Sequence, residues 1–339
     1  MSTDNPLYIP LSSKPVGSGL LTVAGKELTD HLTSRTFLVF AVLLVVVCIL
    51  PFQQGLTGYQ ATQAAYAAGP VVTPWGVEEF GSSLPKAADV YARLPGGLST
   101  VGAILAIAMG FDLVSRERQT GSLKLLLVRP IFRDEIVTGK ALGGLLALTA
   151  LIAAGLAVSL AVLLIEGIVP GPDDLVSISL FGIATVAFLA FYFCLALAIS
   201  TVVPRTGKAF LYALIAFFIF SALVPTTGAV AKDVVAGAHP LGASPSERED
   251  YQTRLALVNS VATVFSPQWN YELVAKSALE PRLITYSFIE GSVVLLPDDG
   301  TARPADALAR FWQNTLVLFM APLVLFMLAY MAFQRMDVR

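Results

Sequence analysis

Three Gly-Lys pairs are the first residues in this 339-residue chain whose spacing could handle a nucleotide. A phosphate-cradling loop needs Gly-x4-Gly-Lys-Ser/Thr, so that backbone amides wrap the phosphates while the hydroxyl meets the metal. Gly25-Lys26 runs into Glu27 and has Leu20 where the first glycine belongs; Gly139-Lys140 has Asp134 there, and Gly207-Lys208 has Val202. All three fail. The metal-ligating types are equally sparse: two histidines, His31 and His239, and two cysteines, Cys48 and Cys194, both inside apolar runs. That inventory supports neither a zinc site nor a disulfide framework. On the side expected to be cytoplasmic the compact acidic set is Asp112, Glu117, Asp134 and Glu135, lying among basic residues as in a salt-bridged loop. No catalytic residue and no metal ligand is assigned.

The elements that carry these residues are written in the charge distribution. Only 14% of residues are charged, 22 basic against 24 acidic, where a soluble chain carries about 25%. The mean hydropathy is +0.72 and the net charge −2, which gives no basic field for nucleic acid. Because a charge at the bilayer centre costs about 2.5 to 3.5 kcal/mol on insertion scales, stretches free of Asp, Glu, Lys and Arg mark the spans. Six reach 18 residues: 36–77, 94–111, 141–165, 175–204, 209–231 and 311–334. A helix needs roughly 20 residues to cross the core, so each holds one span. The reading is an all-α integral membrane protein with six transmembrane helices at about 36–53, 95–114, 141–165, 176–202, 209–231 and 312–334.

Placing the N-terminus inside puts 13 of the 22 basic residues in short cytoplasmic segments, the bias that sets topology. Residues 1–35 then form a cytoplasmic N-terminus without the features of a signal peptide, and 335–339 a cytoplasmic tail. Within the former, Leu21, Val23, Ala24, Leu28 and Leu32 recur at helical spacing opposite Lys26, Glu27, Asp30 and His31, which predicts an amphipathic surface helix. Two hydrophilic portions, 54–93 and 232–310, fall outside, and the polar run 255–271 reads as a re-entrant or interfacial piece. Nothing ionisable lies well inside a span, so the chain does not look like an ion-coupled, self-powered transporter. Gly102, Ala106 and Gly110 in span two and Gly139 with Gly143 in span three are close-packing positions, and the expectation is that these two helices meet there.

The most informative segment joins spans two and three. Glu117 and Arg118 end a charged helix and Gly121 breaks it; Leu123 to Val128, with Leu125, Leu126 and Leu127, make a short apolar turn; Pro130 stops the turn and Arg133 opens the next helix. Leucines at a charged membrane surface need burial, and a groove on a partner supplies it. Glu-Arg, Thr-Gly-Ser-Leu, the leucines, Arg-Pro-Ile and the Gly-Lys at 139–140 closely resemble the cytoplasmic loop of ABC-2 type permeases, the membrane subunits of ATP-binding-cassette exporters. The outline resembles them too, with Lys26-Glu27-Leu28 in a surface elbow helix, six spans, and Ser266-Pro267 ahead of span six.

That resemblance implies a coupling helix over about 117–133 that docks on a separate ATPase subunit, where ATP and Mg2+ bind, with no cofactor held by this chain. It also implies a second permease copy or paralogue as partner within the lipid of the cell membrane. Ser122 departs from the Thr common in that loop, and the segment before span six is longer than in compact members. An alternative keeps the architecture but passes ATP-driven motion to an extracytoplasmic protein through 232–310, an arrangement that permeases of the nitrous-oxide reductase maturation system resemble. A third reading, an integral membrane enzyme, needs clustered acids, histidines or a Ser/Lys pair at one membrane face.

Overall fold

The computed structural model describes residues 18–69, 71–72, 78–79, 85–121, 132–235, 265–281, 283–287, 292–295 and 303–336, with scattered positions between 244 and 258. Leu125, Leu126, Leu127 and Pro130 lie outside the described residues. Helix α1 (Ser18–Leu32) is joined by two residues to α2 (Arg35–Ala67). Ser34 caps α2 by accepting the Phe37 amide at 3.0 Å, satisfying one of the amides every helix start leaves unpaired. The 33 residues of α2 are about 50 Å long against a core of about 30 Å. Its last turns, with Gln60, Thr62 and Gln63, therefore project beyond the bilayer.

Span two is α3 (Ala87–Thr120), and it is segmented. It begins as a 3-10 turn at Ala87–Tyr91, widens to a π turn at Leu98–Gly102, and loses regularity at 111–114 before a last helical piece, Ser115–Thr120. Gly121 ends it at φ +73°, a left-handed conformation that favours glycine. The four further helices long and apolar enough to span are α4 (Arg133–Ile165), α5 (Pro172–Val202), α6 (Thr206–Leu223) and, last in the chain, α10 (Trp312–Gln334). A seventh helix, α7 (Val224–Val235), continues α6 through a π turn at Ile219–Leu223. Helix α8 (Pro267–Leu279) and the short α9 (Pro304–Arg310) precede α10. Two small antiparallel hairpins, β1 (Val71–Val72) with β2 (Glu78–Glu79) and β3 (Leu283–Ser287) with β4 (Ser292–Leu295), decorate the segments after α2 and α8.

Helix α5 is the hub, buried over most of its surface and packed against α3, α4, α6, α8 and α10. Phe181, Phe188, Tyr192 and Phe193 on it are fully buried. In contrast α2, α6 and α10 turn rows of Leu, Val, Ile and Phe outward, the surface that acyl chains solvate. Helix α8 is buried along nearly its whole length. Its Tyr271 stacks on Phe188 with centroids 4.4 Å apart, so this polar-looking segment sits inside the protein.

The small residues do pack closely, but spans two and three do not meet at them. A Cβ on Gly110 would stand 2.7 Å from the Phe193 carbonyl of α5, and one on Gly102 would stand 3.0 Å from Leu189, also on α5. Ala106, one turn from each, is fully buried. In α4 a Cβ on Gly139 would stand 2.8 Å from Val23, and one on Gly143 2.8 Å from the Ala24 carbonyl, both on α1. Bulky Phe, Tyr and Leu on α5 fill the space beside α3, and the elbow helix takes the glycine face of α4.

Candidate functional site

The glycine face of α4 explains where the charges go. Gly139 and Gly143 let α1 approach so closely that Glu27 reaches Lys140, which lies between them and is 3% exposed. Lys140 Nζ ion-pairs with Glu27 Oε1 and, at 2.8 Å, with Glu117 Oε1. Three side chains from α1, α3 and α4 thus form one buried ionic triad at the end of the molecule where the 121–132 loop begins. Glu27 reads from the sequence as a surface charge of the amphipathic helix, and Lys140 as one more basic loop residue. Burial is tolerated because two carboxylates surround the ammonium, whereas one isolated charge would carry an unmet desolvation cost.

Further contacts bind this end. The α3 irregularity at 111–114 is held by Ser200 of α5, whose Oγ accepts the amides of Val114 (3.1 Å) and Ser115 (3.0 Å). Thr206 at the start of α6 donates to Gln119 Oε1 at 2.7 Å. Arg133 Nη1 donates to the Met336 carbonyl at 3.1 Å, which fastens the first turn of α4 to the chain after α10. Arg118, Gly121 and Arg133 are exposed, and Phe132, at the edge of the loop, is 73% exposed. Phe132 lies within the 117–133 segment but is not among the site residues expected from the sequence. Its position between Pro130 and Arg133 was the available signal.

The acidic set is not one cluster. Glu117 joins the triad, and Asp112 lies 3.7 Å from Arg116 on its own helix. Glu135 accepts the Phe132 amide at 3.3 Å while Asp134 is exposed. Lys140 is ion-paired to two carboxylates. His31 stands near this site with Nε2 buried and without a hydrogen-bond partner among the described residues. Burial pushes its pKa below the usual 6.5, outweighing the pull of Glu27 and Asp112 toward the charged form. Among the described residues no group of three His, Cys, Asp or Glu side chains is placed to hold a metal ion.

In the first half of α3, toward its other end, a second buried polar group lies on the π turn. Ser99 Oγ is 3.0 Å from Glu272 Oε1 of α8 and accepts from Gln268 Nε2 at 3.0 Å. Asn314 of α10 donates to Asn270 Oδ1 at 2.7 Å. Span two, which leads into the 121–132 segment, therefore also grips the buried helix of the far segment.

Six helices long and apolar enough to span, a surface helix locked to α4, and an ion-paired joint between α1, α3 and α4 make up this end of the fold. No curated protein matches the chain. A family model described as "ABC-2 family transporter protein" matches residues 21–338, a range that takes in the triad, the loop and all six spans. By that match over almost its whole length, the chain belongs to the ABC-2 family of transporter proteins, the multi-pass membrane subunits that partner with ABC ATPases.

Proposed function

We propose that this chain is the permease half of an ATP-driven exporter of the cell membrane, with both termini cytoplasmic, and that the 117–133 loop is where a separate ATPase subunit pushes on it. In this reading 36–334 form the transporter domain and 232–310 lie outside. A second copy or close paralogue completes the path, and ATP and Mg2+ bind in the ATPase partner alone. The observation that carries the reading is the Lys140–Glu27–Glu117 triad. A loop that transmits force needs a base that does not yield, and here three helices are joined by one buried ammonium directly behind it. Force on the loop then moves α1, α3 and α4 together, a rigid-body displacement of the kind that switches cavities between faces. Phe132 and Leu125 to Leu127 supply the apolar contact and Arg118 the charge.

Co-purification tests it. A tagged chain extracted in mild detergent should bring an ABC ATPase with it, and the combined replacement Leu125→Asp, Leu126→Asp and Leu127→Asp should release that subunit while the permease keeps its melting behaviour. A permease that purifies alone, or capture indifferent to the loop, overturns the reading. The alternative, motion delivered to an extracytoplasmic partner, draws on the Ser99–Glu272 contact between α3 and α8. Transport of a small substrate that is unchanged in Ser99→Ala, which removes that contact, would count against that alternative.

A further inference from the structure

Beside the triad, α1, the first turns of α2 and the last turns of α3 enclose a cavity of about 600 Å3. Its walls are graded along the two spans that line it. Phe40 lies further into α2 than Ser34 at its cap, and Met109 lies further into span two than Arg116. The deep end is thus apolar, with Phe37, Phe40 and Met109, whereas the mouth carries Lys26, Asp30, Arg116 and Asp112. A cavity greasy toward the bilayer and charged at the headgroup level has the polarity profile of a phospholipid.

The charges at the mouth are of both signs and weakly committed. Lys26 and Asp30 stand 3.7 Å apart with side chains 63% and 60% exposed. Arg116 and Asp112 are also 3.7 Å apart, the arginine 74% and the aspartate 29% exposed. Pairs this long with at least one exposed partner contribute little, so a ligand that offers each group a better partner loses little by separating them. A phosphate suits Lys26 and Arg116, the latter through its two-pronged guanidinium; an ammonium suits Asp30 and Asp112. His31 adds a buried Nε2 with no partner among the described residues, a ring nitrogen able to accept an N–H. A primary ammonium has three such donors and a quaternary one has none.

We propose that this cavity binds the headgroup of a zwitterionic phospholipid carrying a primary amine, a phosphoethanolamine lipid, from the leaflet at the loop end. The phosphate sits between Lys26 and Arg116, the ammonium among Asp30, Asp112 and His31, and one acyl chain runs along Phe37 and Phe40. Such a lipid bridges α1, α2 and α3 and holds the elbow helix at the membrane surface. This assignment does not depend on which substrate the transporter moves or on which partner occupies the loop.

The test uses the full-length chain, delipidated in detergent and back-titrated with phosphoethanolamine, phosphocholine or phosphoglycerol lipids of matched acyl chains, with retention read by native mass spectrometry. Expected is one phosphoethanolamine lipid retained at least about tenfold better than either competitor. Retention should fall to the competitors' level in a Lys26→Ala, Arg116→Ala double variant and in the isosteric Asp112→Asn, and persist in Glu247→Ala on the distant exposed segment. Equal retention of the phosphocholine lipid overturns recognition of the amine. Preference for the phosphoglycerol lipid makes the site anionic-selective and overturns it too. Saturation by soluble phosphoethanolamine without lipid retention assigns the chemistry to a soluble ligand instead. A photoactivatable phosphoethanolamine lipid on the wild-type chain keeps the question independent of variant folding: label on 33–40 or 108–116 is expected, and label confined elsewhere overturns the proposal.

Discussion

The two ends of α3 solve the problem of burying polarity in opposite ways. At the loop end a lysine from α4 is clamped by carboxylates from α1 and α3, and the whole joint is ionic. At the far end a hydroxyl, a carboxamide and one carboxylate share hydrogen bonds around a π turn. An ammonium held by two carboxylates is costly to take apart, because separating them strands charge in low dielectric. A hydroxyl at a π turn exchanges partners cheaply, since the wide turn already leaves the helix ladder irregular and such turns cluster at functional sites. The comparison assigns stiffness to the loop end and compliance to the far end.

The largest expected effect lies in the stiff end. Lys140→Met leaves Glu27 and Glu117 facing each other without a counter-charge, and breaking a buried pair in this way costs about 3–5 kcal/mol. Melting of the detergent-solubilised chain should drop sharply. The triple replacement Glu27→Gln, Lys140→Met and Glu117→Gln should recover a large part of the loss, because no charge is then stranded. A single variant as stable as wild type would show that the triad is not a clamp, and the contrast between the ends would vanish.

The compliant end should respond less. Ser99→Ala deprives Gln268 Nε2 of its acceptor and Glu272 of a donor, a loss of about 1–3 kcal/mol for buried polar groups. Glu272→Gln should cost less than Ser99→Ala, as the amide oxygen still accepts from the hydroxyl. Thermal unfolding of both against Lys140→Met ranks the ends directly, and a Ser99→Ala penalty equal to that of Lys140→Met would erase the distinction.

These two joints also mark where the sequence was legible and where it was not. The six spans follow from charge-free stretches because a bilayer penalises each charge independently, so single-residue chemistry suffices. The elbow helix follows from one periodicity over Ser18–Leu32. Pairing is another matter: Glu27 and Lys140 are 113 positions apart, and each alone reads as a surface charge. Gly139 and Gly143 were legible as close-packing positions, but glycine names a close approach and not the partner, and the partner is α1 instead of α3. Gly144, pressed against the Phe193 ring, and Gly55, pressed against the Val90 carbonyl, lie outside the every-fourth pattern in spans two and three and went unread. The polar run 255–271, read as a re-entrant or interfacial piece, overlaps α8 at Pro267–Tyr271. Ser266 at the cap of α8 and its Gln268, Asn270 and Glu272 are buried because α3, α10 and the cap itself supply hydrogen bonds, compensation that hydropathy cannot register.

The smallest effect is the pH response of His31, and it sharpens what the loop end tolerates. Desolvation holds the imidazole below its ordinary 6.5, while Glu27, Asp30 and Asp112 pull it up and Lys140 opposes them; Lys26 and Arg116 line the same cavity. With the folded value below the unfolded one, the unfolded chain takes up the proton first. The neutral ring's stability contribution is therefore full above pH 6.5 and is lost as pH falls through the unfolded value toward the folded one. The imidazole is partly exposed, so solvent screening keeps the change small. Melting of wild type between pH 7.5 and 5.5 should decline slightly more than that of His31→Gln, which has no proton to gain. Parallel slopes would mean that His31 is solvated as in the unfolded chain. A wild-type slope shallower than the variant's would mean that the surrounding carboxylates outweigh desolvation, making the loop end a reader of acid instead of a joint indifferent to it.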